Sequence, residues 1–373
     1  MELKTKKLDS LQMVRAIAML MVLFIHLDAF STRIFNYPVF SGFLMPGGDA
    51  GVNIFFVLSG FIIFYVHKGD IGKRVKFFPY LIKRFSRIYP TYWAANLLII
   101  PLHFLLPQFG LGDEREARTI IYSLLLLPQS HAPIIHAAWS LSNEIFFYLM
   151  FSLSIIFKFK RIFPLVFLIL LGTIFNIFYS LQGITVFQDP FLNLIFSYHN
   201  FEFLLGCFSA YLIVKHNIRL KKMLLFIGSI LILSMIVIER FYGDLGALRL
   251  LGYGIPAFFV LTSLGAHEIR DKLKVPGFLL PKALLLLGDA SFSIYITHQL
   301  FISGIGRVLK SIGLVNLIGP LPVVIIIGIF TILAGLIFHL KIEKPLLYFS
   351  RVKLLALYHI SNKLVTKSFS KTA

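Results

Sequence analysis

The sequence predicts an all-α polytopic membrane protein: a bundle of about ten transmembrane helices with both termini in the cytoplasm. Three observations carry that prediction. The 373 residues are 58% hydrophobic and only 14% charged, with a mean hydropathy of +0.84, more apolar surface than a soluble domain of this length can bury. Apolar runs long enough to cross roughly 30 Å of hydrocarbon recur along the whole chain. Lys and Arg are divided very unequally between alternate connecting segments.

The runs fall at 9–29, 49–67, 88–107, 136–157, 162–181, 193–214, 223–239, 247–266, 283–306 and 318–340. If the N-terminus is inside, the inner segments are 1–8, 67–87, 158–161, 215–222, 267–282 and 341–373. They carry 28 of the 36 Lys and Arg, the outer segments carry 7, and Arg15 lies within the first span. That bias fixes the topology by the positive-inside rule and accounts for most of the net charge of +19 without nucleic acid as a partner. No small-residue cleavage site follows the first run, so it reads as a retained helix, not a leader. Cys207 is the single cysteine, so no internal disulfide is possible, and it reads as a packing residue. There is no internal repeat. Residues 1–345 form the membrane unit and 346–373 a basic cytoplasmic tail.

Several polar residues do not belong in hydrocarbon. In the first span, LQMVRAIAMLMVLFIHLDAF, Arg15 and His26 are eleven positions apart. Eleven steps of about 100° bring both to one helix face, about 16 Å apart along the axis. A buried Arg costs roughly 2.5–3.5 kcal/mol on insertion scales, so it asks for a reason. The second span, GVNIFFVLSGFIIFY, brings Asp49 and Asn53 to the outer end, and its Ser59–Gly60 pair permits close helix packing. In the loop before the third span, Arg84 and Arg87 are three apart on one face, and Pro90 suits the first turn of that span. The fourth span places Glu144 in mid-membrane, sharing a face with Ser140 and Tyr148. The sixth carries Glu202 at similar depth. The ninth, with SFSIYITH, aligns Ser291, Tyr295 and His298. His26, His298, Glu144, Glu202 and Asn53 are therefore expected in one outer polar layer.

Each has a plainer reading. A histidine near a span end is often interfacial, paired arginines often only enforce topology, and Ser291 and Tyr295 suit helix packing. Glu239, Arg240, Glu268 and Arg270 are expected at solvated span ends. Glu144 is the hardest to dismiss, because intramembrane carboxylates usually have a function.

In order along the chain, the Arg15–His26 spacing, GVNIFFVLSGF (51–61), KRFSRIYP (83–90), WSLSNEIFFY (139–148), FEFLLG (201–206), SFSIYITH (291–298) and EKP (343–345) resemble the motifs of the acyltransferase family three membrane proteins. The resemblance spans nearly the whole chain, and seven motifs in order are specific where one is weak. It is nearest to members that O-acetylate bacterial exopolysaccharide or lipopolysaccharide O-antigen, and to the stand-alone type without an appended hydrolase-like domain. The resemblance implies acetyl-CoA as donor from the cytoplasm, a polysaccharide or lipid-linked saccharide as acceptor, an inner-membrane location and no metal. It carries over Arg15, His26, Arg84, Arg87 and Glu144 as site residues. Many members have Asp where this chain has Asn53; an acid needed there must come from Glu144, Glu202 or Asp49.

The chemistry fits those residues. Guanidinium forks suit the phosphates of the donor, which points to Arg84, Arg87 and Arg15 as donor-binding. His26, as a neutral imidazole, is the expected general base, with Glu144 as its orienting carboxylate and Asn53, Glu202, Tyr295 or His298 as acceptor or oxyanion partners. An acetyl-histidine intermediate is equally compatible. Two rivals remain at this point: a proton-coupled exporter of a glycolipid or polysaccharide, and an O-acyltransferase for a non-carbohydrate acceptor. The sequence does not give the oligomeric state.

Overall fold

A computed structural model describes residues 8–39, 50–107, 110, 112–271 and 279–369. Asp49 lies outside these residues. The described residues are helical throughout, without a strand. The helices are α1 (Asp9–Phe35), α2 (Ala50–His67), α3 (Phe77–Leu105), α4 (Ala117–Leu124), α5 (Trp139–Ile156), α6 (Phe159–Ser180) and α7 (Pro190–Ile195). They continue as α8 (His199–Lys215), α9 (Lys221–Tyr242), α10 (Ile255–Ile269), α11 (Leu279–Ser311), α12 (Leu314–Ile318), α13 (Pro320–Phe338) and α14 (Lys344–Phe369).

Among the described residues, eight helical segments are long and apolar enough to cross a membrane: those built on α1, α2, α5, α6, α9, α10, α11, and α13 with α14. The expected third and sixth spans correspond to α3 and α8. Helix α8 has only 17 residues. Helix α3 is long enough at 29 residues, but its first half carries Lys83, Arg84 and Arg87. The basic segment read as a loop is thus the start of this helix, and Pro90 lies inside it, not at its first turn. Pro79 takes that early position, where its missing N–H costs nothing.

Helix α2 is the hub. It packs most extensively on α8, while α1 packs on α11 and α11 on α13. The α2–α8 crossing is close because each helix offers a glycine to the other's backbone. A Cβ on Gly60 would overlap the Phe203 carbonyl oxygen, and one on Gly206 would overlap that of Val57. Without a hydrophobic gain from leaving lipid, such close van der Waals contact holds membrane helices together. At the periphery, α6 and α9 turn large apolar side chains outward, among them Phe167, Leu168, Phe226 and Leu233.

Two carboxylates expected in solvent are structural. Glu268 of α10 caps the start of α1, accepting from the Asp9 N–H at 2.8 Å, the Ser10 N–H at 2.9 Å and the Ser10 hydroxyl at 2.6 Å. Leu8, at the cap position itself, has no side chain that can accept those N–H groups, so a neighbouring helix does it. Glu239 is buried and accepts from Arg249 Nε and the Tyr253 hydroxyl, both at 2.7 Å. The carboxylate of the EKP motif, Glu343, is also internal. It accepts from Ser293 of α11 and from His339 across a π-helical turn, each at 2.6 Å, and so ties the last helices to α11.

Candidate functional site

Four arginines converge on one cavity of about 480 Å³. Arg15 reaches it from α1, Arg84 and Arg87 from α3, and Arg351 from α14. The i, i+3 spacing on α3 puts both of its guanidiniums on the same face, as the sequence predicts. Glu144 is the single carboxylate in the lining, and Ser140, Tyr148, Ser291 and Tyr295 add hydroxyls. The cavity is therefore strongly cationic inside an apolar bundle.

Its polar groups are held in place. Arg15 donates to Gln12 at 3.2 Å, one turn earlier. Arg84 Nη2 donates to His67 Nε2 at 2.7 Å, and His67 Nδ1 donates to Asp70 at 2.8 Å. This relay requires a neutral His67, because only then does Nε2 keep a lone pair. The Arg84 guanidinium also lies over the rings of Tyr80 and Tyr148, each at 5.8 Å. Glu144 accepts from the Tyr148 hydroxyl and, at 3.4 Å, from Ser59.

The cavity's lining ends at Tyr295, whose hydroxyl lies 2.8 Å from Ser140 Oγ. Beyond it stand two histidines that do not line the cavity. The His298 ring is 6.0 Å from the Tyr295 ring and 4.7 Å from that of His26, edge to face. His26 Nδ1 sits 2.8 Å from the Val22 carbonyl and His298 Nδ1 2.6 Å from that of Tyr295. A carbonyl only accepts, so each Nδ1 carries a hydrogen, and in the neutral ring Nε2 then keeps its lone pair. For His26, that is the tautomer a general base needs.

The expected single polar layer is instead three local sets. Glu144 accepts from Tyr148 and Ser59, while the Val22 carbonyl accepts from His26 Nδ1. Asn53 and Glu202 form a separate chain. Asn53 Nδ2 donates to Glu202 at 2.5 Å, and His199 Nδ1 donates to the other carboxylate oxygen at 2.8 Å. Neither Asn53 nor Glu202 lines the arginine cavity. The third set is the His26–His298–Tyr295 column.

Sequence reasoning missed His67, His199 and Arg351. His67 stands three before Asp70 and His199 three before Glu202, a helical pairing distance that was visible in the sequence. Arg351 gave no signal, being one of several basic residues in what reads as a tail.

A second cavity, of about 730 Å³, lies on the opposite face of the first turn of α5. Ser140, Leu141 and Glu144 line the arginine cavity; Trp139, Ser142 and Asn143 line the second. The two share no lining residue. Phe56, in the wall of the first, has its ring 4.4 Å from that of His199 and 6.3 Å from that of Trp139, both in the second.

Comparison with known proteins agrees with this architecture. The sequence profile of the family described as "Acyltransferase domain" matches residues 8–340. Among curated proteins, the chain is similar to the exopolysaccharide production protein ExoZ of Rhizobium meliloti (strain 1021). The two are 26% identical over 319 residues, covering 82% of this chain and 92% of that one. No solved structure matches. The chain belongs to the acyltransferase domain family, and it is a multi-pass membrane acyltransferase.

Proposed function

We propose that this acyltransferase moves an acetyl group from cytoplasmic acetyl-CoA to a hydroxyl of a bacterial cell-surface polysaccharide or its lipid-linked precursor, in the cytoplasmic (inner) membrane. The observation that carries the reading is the arginine cavity: four guanidiniums against one carboxylate, walled by apolar helices. Half-buried cations crowded in this way repel one another, and an anion that joins them relieves the repulsion. The donor's phosphates supply several negative charges in a form that guanidinium forks match. The basic segments that flank this end of the bundle support a cytoplasmic position for it by the positive-inside rule. The saccharide acceptor is suggested by the exopolysaccharide relative and by the motif resemblance.

In this reading Arg84, Arg87 and Arg351 hold the phosphates, and Arg15 stands farther along the route. Helix α1 is unbroken from Asp9 to Phe35, so His26 lies about 16 Å beyond Arg15, a span suited to an extended pantetheine arm. The arm passes Tyr295 to bring the thioester to His26. The acceptor hydroxyl oxygen attacks the thioester carbon; a C–O bond forms and the C–S bond breaks. His26 Nε2 takes the hydroxyl proton and returns it to the departing thiolate, which leaves as the free thiol of CoA. The Tyr295 hydroxyl, in contact with Ser140, supplies a donor for charge developing on the carbonyl oxygen.

The test uses the full chain purified into lipid nanodiscs, with radiolabelled acetyl-CoA and deacetylated surface polysaccharide. Wild-type protein is expected to release CoA and label the polysaccharide. His26→Ala is expected to lower the rate by about 10²–10⁴-fold while the protein stays folded. Absence of transfer by the wild type, or a wild-type rate in the variant, overturns the proposal.

A further inference from the structure

The second cavity is built differently from the first. Among the described residues, its lining contains no Lys, Arg, Asp or Glu. It offers neutral hydrogen-bonding groups such as Gln129, Asn143 and Asn176, with the aromatic faces of Trp139, Tyr198 and His199. The rings are clustered: His199 lies 5.6 Å from Trp139 and 4.1 Å from Tyr198. Trp139 is nonetheless 43% exposed. Glu202, fully buried behind His199, fixes that imidazole through Nδ1.

Asn143 is the decisive residue. It is only 6% exposed, and its Oδ1 has no hydrogen-bond partner. Its amide cannot simply be turned over, because Nδ2 donates to the Trp139 carbonyl at 3.2 Å, a contact only the nitrogen can make. A buried acceptor left unpaired costs about 1–3 kcal/mol, so a ligand hydroxyl donating to Oδ1 recovers that loss.

We infer that this cavity is the binding cleft for the saccharide chain of the acceptor, an inference that rests on the acyltransfer to polysaccharide proposed above. Among the described lining residues there is no Lys or Arg to hold the donor's phosphates, which the arginine cavity suits. Neutral donors and acceptors around flat aromatic faces match a polyhydroxylated ring, whose hydroxyls need partners and whose C–H faces stack on aromatics. The volume is in the usual range for small-molecule sites, about 300–1,000 Å³. The location is also suitable: Trp139 and Asn143 share the first turn of α5 with Ser140, which contacts Tyr295 at the end of the donor cavity.

The chain contains two tryptophans, Trp93 and Trp139. In a Trp93→Phe background, Trp139 is therefore the sole tryptophan reporter. The full chain in nanodiscs is titrated with neutral oligosaccharides released from alkali-deacetylated surface polysaccharide. Trp139 emission is expected to shift saturably, and acetyl-CoA is expected to leave it unchanged. Adding Asn143→Ala should raise the half-saturating oligosaccharide concentration at least about tenfold, with acetyl-CoA binding within twofold. In turnover, Asn143→Ala and Trp139→Ala should raise the acceptor KM without changing the donor KM. No saccharide-dependent emission shift, or an unchanged acceptor KM in both variants, overturns the assignment. Saccharide binding without acetyl transfer by the wild type overturns the proposed function instead, so the two failures are distinct.

Discussion

Arg84 gives the sharpest test of how the donor is held. Its guanidinium is positioned from three sides: the 2.7 Å bond to His67 and the rings of Tyr80 and Tyr148 at 5.8 Å. Prepositioning means that little rotamer entropy is lost when a phosphate binds. Arg84→Ala removes the fork, and hydrogen bonds to a charged partner contribute about 1.5–3 kcal/mol. The acetyl-CoA dissociation constant should therefore rise about 10- to 150-fold. Arg84→Lys keeps the charge but loses the second donor arm and the His67 contact, so it should fall in between. The assay is equilibrium binding of acetyl-CoA and of acetyl-pantetheine, which carries no phosphate, to the protein in nanodiscs. Arg84→Ala should weaken the first and leave the second within about twofold. Equal weakening of both donors would mean that the substitution disturbs the cavity generally. No weakening of acetyl-CoA would mean that the phosphates bind elsewhere. Either result refutes the assignment.

Two predictions concern the fold. Gly60→Ala drives a methyl group into the Phe203 carbonyl, and overpacking of this kind costs about 1–3 kcal/mol; thermal unfolding in detergent should show a lower midpoint than Ser59→Ala, which adds no atoms and removes only the 3.4 Å hydroxyl contact to Glu144. Glu268→Ala removes the acceptor of three hydrogen bonds at the start of α1, and lost helix caps cost about 0.5–2 kcal/mol. Hydrogen exchange should speed up at Asp9–Gln12 and remain unchanged near His26; faster exchange throughout α1 would argue against a local cap.

The face of a helix that a residue occupies is legible in the sequence; how one span sits against another is not. The sequence puts Glu144 in an outer layer with His26, above Arg15 and the Arg84–Arg87 pair, yet Glu144 lines one cavity with those three arginines. Their direction followed from helical spacing within α1, α3 and α5. Asn53 donates to Glu202, and Glu202 accepts in turn from His199. What turns them aside is the α2–α8 crossing, set by Gly60 and Gly206, and no single-span pattern encodes which neighbour a glycine faces. Arg351 was hidden for a related reason. Its helix is only weakly apolar, so hydropathy sees a tail, while packing of α14 against α3 brings the side chain into the cavity.

The wall between the two cavities has a consequence for the cell's energy supply. A continuous wet path through the bundle would let protons run down the membrane potential, which is worth about 2.3 kcal/mol per charge at 100 mV. The first turn of α5 and the Phe56 ring interrupt that path. In the proposed reaction, an acyl group delivered past Tyr295 meets an acceptor hydroxyl from the far side, and the one proton released there is handed through His26 to the thiolate without a continuous water path.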